Sequence, residues 1–189
     1  KRKLCKNCNY KIGKMLIENF NIGYSLCSRC GHLNGIYEDS DSFVNWLYSA
    51  KSGKNYSKNY LNDFSLRVKN IYIPKVKFLK KIIKNINLID LGSGGGHFLR
   101  ALEVKKIKAI GLEPNKQLVQ LGNKFLKKNN LLNVSLNETC KYLENDKIHN
   151  TVSLIGVLEH LNKPNLFINS FIKSNLKYLY ISVPLFSLS

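Results

Sequence analysis

The chain has 189 residues, enough for one medium domain or for a small domain joined to most of a larger one. Lys and Arg number 30 against 12 Asp and Glu, a formal net charge of +18, and no apolar run reaches the roughly 20 residues of a membrane-spanning helix, which excludes that class. Such charge suits nucleic acid or an anionic surface, but the lysines are scattered among Asn and Ile, as on solvated faces. With no secretory signal in view, Lys as first residue and an apolar segment running to the last, a fragment of a cytoplasmic protein is expected.

Four of the five cysteines form two C-x2-C pairs, Cys5 with Cys8 and Cys27 with Cys30. Two such pairs bring four thiolates to the corners of a tetrahedron, the geometry of a structural Zn²⁺, and the hairpin between them closes the site. Asn9 and Gly31, directly after the pairs, are the residue types that most readily take positive φ, as a turn round a metal-bound pair requires. Disulfides are the competing reading, although a bridge within C-x2-C is strained and nothing else points to secretion. Metal binding would supply the folding energy of so small a segment. His32 is expected at the surface and Cys140 in the core.

Residues 37–84 contain no repeat and no flexible linker. The intervals of apolar residues predict amphipathic helices over 42–48 and 60–68, and Pro74 is expected to start a third over 75–84. Tyr48, Tyr56, Tyr60 and Tyr72, with Arg67, are either packing residues with wet hydroxyls or a cover over a bound cofactor.

Residues 88–100 read LIDLGSGGGHFLR. An apolar strand ends in Asp90, a turn containing Gly92, Ser93, Gly94 and Gly96 follows, and helical spacing then resumes. Backbone N–H groups and a helix N-terminus meet at such a turn, which makes it an anion and cofactor cradle. The pattern D-x-G-x-G-x-G is a poor match to the dinucleotide fingerprint, because the third glycine comes one residue early and His97 takes its place. A turn that collects glycine for steric reasons alone is the alternative.

Strand and helix then alternate, predicting a parallel sheet covered on both faces. A second strand over 108–112 ends at Glu113, about twenty residues beyond the loop, where an acid can take both hydroxyls of a ribose. Its other reading is a helix N-terminal charge ahead of a helix over 115–126. After a third strand over 133–136, Asn137 and Glu138 stand where an adenine-binding side chain would sit, or serve the next helix as caps. A fourth strand over 151–157 leads into Glu159 and His160, at the carboxyl edge where open sheets bind ligands; a capping Glu and a half-buried His are the plainer reading. A fifth strand over 177–183 is closed by Pro184.

With those motifs in place, residues 88–183 resemble class I S-adenosylmethionine (SAM) dependent methyltransferases: DLGSGGG looks like motif I, LEPN its ribose-binding acid and VLEHLNKP the motif after the fourth strand. The four-cysteine segment is similar to the zinc-binding N-terminal domain of bacterial sugar C-methyltransferases and related polysaccharide-cluster methyltransferases. The resemblance implies an α/β Rossmann-like sheet, incomplete at its C-terminal side, over 85–189, preceded by a zinc ribbon over 1–36 and a helical connecting or lid segment over 37–84. It implies SAM and a structural Zn²⁺ as bound groups. Asp90 and the loop amides of Gly92, Ser93, Gly94 and Gly96 would hold the methionine end and Glu113 the ribose. His160 would act as base, with Glu159 orienting it or binding substrate. The implied acceptor is a sugar, nucleotide-sugar or surface-polysaccharide component. An RNA methyltransferase holding nucleic acid on the ribbon and basic surface is the alternative, and a non-catalytic binding protein the third reading. Quinol-biosynthesis O-methyltransferases have a similar Glu-His motif with an upstream acid that helps hold a divalent metal. Gly156 stands at that position here, so that ligand is missing.

Overall fold

A computed structural model describes residues 1–14, 17–19, 21–40, 42, 43, 46, 60–161 and 163–184. Most of the helix predicted over 42–48, with Tyr48 and Tyr56, lies outside the described residues.

The N-terminal segment is a small antiparallel sheet of β1 (Ile17–Asn19), β2 (Ile22–Leu26) and β3 (Leu33–Gly35), in that order. The two cysteine pairs sit in turns built alike. The Cys5 N–H donates to the Tyr10 carbonyl and the Cys27 N–H to the His32 carbonyl, at 2.7 and 2.9 Å. Asn9 and Gly31 donate back to the carbonyls of Cys5 and Cys27. Both take the positive φ that their residue types predict, 56° and 69°.

One helical run then leads to the main sheet: α1 (Phe64–Arg67), a π-helical turn at Val68–Tyr72 and α2 (Ile73–Ile82). Pro74 stands in the first turn of α2, as its residue type predicts, since a missing N–H costs little there; what differs is that the run enters α2 through the π turn, and that α2 ends at Ile82.

The main sheet comprises β4 (Asn87–Leu91), β5 (Lys108–Glu113), β6 (Leu131–Asn133), β7 (Thr151–Ile155) and β8 (Tyr178–Ser182), all parallel in the order β6-β5-β4-β7-β8. The connecting helices are α3 (His97–Val104), α4 (Lys116–Gly122), α5 (Leu136–Asn145) and α6 (Pro164–Lys173). Strand periodicity divides the core: Leu88 packs on one face with Phe64, Val76, Phe98 and Leu99, while Ile89 and Leu91 pack on the other with Leu143 and Phe167. Covered on both faces, β4 reads after Asn87 as an apolar run interrupted at Asp90.

Three boundaries move. The third strand covers 131–133 and not 133–136, because buried Leu131 pairs with Gly111 while Ser135 already caps α5. The fourth stops at Ile155, where Gly156 turns with φ 65°. The helix predicted over 115–126 ends at Gly122 and continues as a 3-10 turn, Asn123–Phe125. Strand order reverses at β4, with β5 on one side and β7 on the other, so the loops leaving β4 and β7 diverge and open a crevice at the carboxyl edge. Among the described residues no helix is long and apolar enough to cross a membrane.

Candidate functional site

The glycine loop fills that switch point, and its backbone takes shapes closed to other residues. Gly92 and Gly94 have φ of 60° and 55°. A Cβ on Gly92 would lie 2.6 Å from Val157, and one on Gly94 would lie 2.7 Å from the Tyr60 hydroxyl. The loop is thus pressed between the segment after β7 and the segment ahead of α1. Gly96 is the N-cap of α3, so the loop delivers its N–H groups to a helix N-terminus.

Asp90 is 3% exposed, and both its oxygens are engaged: Oδ2 accepts from the Ser93 hydroxyl and Oδ1 from the Ser153 hydroxyl, each at 2.6 Å. It braces the loop against β4 and β7. Burial pushes its carboxyl up to about 6 although both hydroxyl bonds pull it down. The folded protein holds this proton more tightly than the unfolded chain, so the stabilising contribution is complete below about 3.8 and is lost as pH rises through about 6. Asp90→Asn removes that pH dependence. Its thermal midpoint should rise relative to the parent between pH 4 and pH 7.5, by an amount worth at most ~3 kcal/mol for two units of displacement. Parallel melting curves at the two pH values check this, and a constant difference between parent and variant would contradict it.

Glu113, at the tip of β5, is 6% exposed and reaches back to the loop. Its Oε2 accepts from the Gly94 N–H at 2.8 Å and its Oε1 from the Asn115 N–H at 2.9 Å. Burial raises its pKa while these two bonds lower it. The side-chain cap of α4 is Asn115, whose Oδ1 accepts from Gln117 and Leu118, so the Glu113 carboxylate joins the glycine loop on one oxygen to the N–H of that cap residue on the other. Asn133 fixes the tip by donating to the carbonyls of Glu113 and Pro114, both at 2.9 Å. A carboxylate keeps about four lone-pair positions, so two N–H partners leave acceptor capacity for hydroxyls.

The two residues expected beside an adenine, Asn137 and Glu138, lie in the first turn of α5. Ser135 and Glu138 form a reciprocal capping box at the start of α5, with the Ser135 N–H 3.1 Å from Glu138 Oε2. The exposed Glu138 carboxylate is held by that cap. Asn137 is exposed on the same first turn.

Glu159 and His160 stand exposed on a 3-10 turn, Leu158–His160, directly after β7. The His160 N–H donates to the Val157 carbonyl at 2.9 Å, and Val157 is the residue pressed against Gly92. The Glu-His pair therefore follows directly from the wall of the glycine loop. Glu159 Oε1 is 3.8 Å from where a Cβ on Gly156 would stand, the nearest atom to that position.

Of the tyrosines, Tyr60 and Tyr72 surround His97, with ring centroids 5.3 and 5.6 Å away, and Phe64 lies closer at 4.3 Å. His97 is 1% exposed, and its ring nitrogens have no hydrogen-bond partner among the described residues. Burial and the Arg67 charge push it down to about 4.

A parallel α/β sheet, a glycine loop at its switch point and a buried acid at the neighbouring strand tip accord with the comparisons. Residues 64–188 match the family described as a methyltransferase domain. The chain belongs to it. It is 27% identical over 101 residues to the ubiquinone biosynthesis O-methyltransferase of Rickettsia typhi, a stretch that is 53% of this chain and 41% of the relative. The counterpart from Rickettsia prowazekii is 28% identical over 101 residues, 53% of this chain and 40% of its own length. The chain thus spans less than half the length of these relatives. In structure it is similar to a SAM dependent methyltransferase from Archaeoglobus fulgidus (TM-score 0.52, 22% identity, 67% of this chain and 56% of that one). It is also similar to the plantazolicin methyltransferase BpumL solved with SAH (TM-score 0.54, 14% identity, 73% and 56%). These two likenesses show the fold.

In this methyltransferase-family chain the four cysteines form a second site. All four Sγ atoms lie within 4.8 Å of one another, Cys5 and Cys27 buried, Cys8 half-buried and Cys30 exposed. The cross pairs are Cys5–Cys30 at 3.7 Å and Cys8–Cys27 at 3.6 Å. Burial raises the Cys5 thiol, but the N–H groups of Cys8 and Asn7, the Asn34 amide and the Cys30 thiol outweigh it and bring it down to about 6. Tyr10 N–H pulls Cys8 down, yet burial and the three neighbouring thiols drive it up to about 12. Four sulfurs this close do not all ionise by themselves, and a dication is the partner that lets them; the donor set fits tetrahedral Zn²⁺. His32 is half-buried and Cys140 only partly covered.

Sequence reasoning passed over Ser153, Asn34 and Lys6. Ser153 had a signal: it is a hydroxyl in the middle of an apolar strand, and in the sheet it faces Asp90 directly. Asn34 and Lys6 had none, since their partners are distant in the chain.

Proposed function

We propose that the chain is the SAM-binding part of a methyltransferase acting on a small molecule of the sugar, nucleotide-sugar or surface-polysaccharide class. The observation that carries the cofactor reading is the buried Glu113 carboxylate held against the Gly94 N–H at the switch point. Glu113 would accept from the ribose hydroxyls. The N–H groups of the loop, braced from below by Asp90, Ser93 and Ser153, would receive the methionine carboxylate, and Asn137 would flank the base. When bound, SAM supplies a methyl group on a sulfonium whose leaving group is neutral. The chain's task is then alignment in a dry pocket, an effect worth up to about 7–11 kcal/mol. For an oxygen or carbon nucleophile a proton must also leave, and His160 would take it at a ring nitrogen, with Glu159 orienting the ring or binding substrate. Residues 1–36 would be the zinc ribbon, with Cys5, Cys8, Cys27 and Cys30 as ligands, residues 37–84 the connecting segment that covers the loop through Tyr60, and 85–189 the catalytic core.

The ribbon in front of the core supports the saccharide class, by the resemblance of that pairing to sugar C-methyltransferases. The ubiquinone-biosynthesis relatives favour a second reading, methylation of a phenolic hydroxyl. Calorimetric titration should give one SAM bound per chain, and labelled methyl should pass to a nucleotide-sugar in preference to a catechol or RNA. No SAM binding overturns the cofactor reading, and transfer to a catechol overturns the saccharide one.

A further inference from the structure

The first cysteine turn does more than present sulfur. The Lys6 side chain reaches across the molecule, and its Nζ donates to the Glu159 carbonyl at 3.3 Å. The neighbouring Asn7 carbonyl accepts from Asn165 Nδ2 at 2.9 Å. These contacts join positions 153 and 158 residues apart. They fall on either side of the segment that carries His160: Glu159 lies on the turn after β7, and Asn165 lies in the first turn of α6.

The turn that makes them is fixed by the cysteine site. Asn34 Oδ1 accepts from the Lys6 N–H at 2.8 Å, while Asn34 Nδ2 donates to Cys5 Sγ at 3.5 Å and to the His32 carbonyl at 2.9 Å. Lys6 and Asn7 stand between two of the cysteines, so their backbone path is set by wherever the sulfurs are held. Whatever gathers the sulfurs therefore also sets where the segment after β7 can rest. On the other side of the crevice, among the described residues, Glu113 and Gly94 are bonded to each other and to Asn115, all of the core itself.

We infer that the cysteine-held turn positions the acceptor side of the site: Lys6 and Asn7 pin the segment carrying Glu159 and His160 at both ends, and metal occupancy of the four cysteines sets how firmly. The acceptor role of that segment rests on the function proposed above; the mechanical link does not. Lys6 and Asn7 are positioning residues, since neither touches reacting atoms.

Amide hydrogen exchange on the full chain tests this, read at residues 157–161 with β4 and β5 as internal reference. Asn165→Asp replaces the donor by an acceptor facing the Asn7 carbonyl, at a helix first turn where an acid is tolerated. Combined with Lys6→Ala, it should speed exchange at 157–161 about tenfold or more, as for loss of two net hydrogen bonds. Asn165→Asp alone should give part of that effect. Lys6→Arg, which keeps a donor, should stay within about twofold of the parent. Chelation of metal should reproduce the double variant, with exchange in β4 and β5 and the SAM affinity unchanged. Equal exchange at 157–161 in the parent, Asn165→Asp and the double variant overturns the inference. If SAM fails to bind while the exchange differences appear, only the proposed function falls; if SAM binds and the exchange is equal, only the positioning role falls.

Discussion

Replacing Glu113 by Gln is expected to weaken SAM binding about a hundredfold, because each hydrogen bond to a charged acceptor contributes about 1.5–3 kcal/mol and two ribose hydroxyls lose one. The amide also works against the loop. Both carboxylate oxygens now accept from N–H groups, Gly94 on one and Asn115 on the other, and the NH2 of Gln must face one of those donors. A melting curve of the ligand-free variant separates loop disturbance from lost contacts, since disturbance lowers the midpoint and lost contacts alone leave it. Asn115→Ala is the control. It removes the cap of α4, at about 1 kcal/mol of stability, but leaves the carboxylate in place, so its SAM affinity should fall by no more than about threefold. An affinity for Glu113→Gln within threefold of the parent, measured by calorimetry, would remove Glu113 from the ribose role.

What could be read in advance was what local chemistry determines. The spacing of Cys5, Cys8, Cys27 and Cys30 requires two like turns, and positive φ at Asn9 and Gly31 follows from that alone. A glycine at 92 with φ of 60° belongs to a strand that must turn at once into a helix, and alternation of strand and helix implies a parallel sheet, which is what forms. Tertiary partners decided the rest. The third strand is placed by Leu131 pairing with Gly111, and the π turn that leads into α2 ahead of Pro74 had no signal in the spacing. At Glu138 the local signal that could be read was the cap: Ser135 stands three residues earlier, and the capping box forms. The brace from Ser153 to Asp90 and the bridge from Lys6 to Glu159 depend on register and docking, which only the folded chain determines.

The largest effect on stability is expected at the cysteines. Purified chain should carry about one zinc, since four thiols within 4.8 Å of one another offer a complete tetrahedral set. Cys27→Ala removes a buried ligand whose backbone also anchors the second turn. Structural zinc contributes on the order of 10 kcal/mol to a segment of this kind, while β1, β2 and β3 bury little beyond Ser25, Asn34 and the cysteines themselves. The variant should therefore lose its zinc, and residues 1–36 should become open to protease. The main sheet should persist, because Leu88, Phe98 and Leu99 on one face and Ile89, Leu143 and Phe167 on the other form cores that, among the described residues, include none of the ribbon. Metal analysis with limited proteolysis reads both halves of this expectation. A parent protein free of zinc with its cysteines joined as disulfides would overturn the metal assignment. Loss of β4 and β5 along with the ribbon would show that the two segments fold as one unit, which the separate apolar clusters argue against.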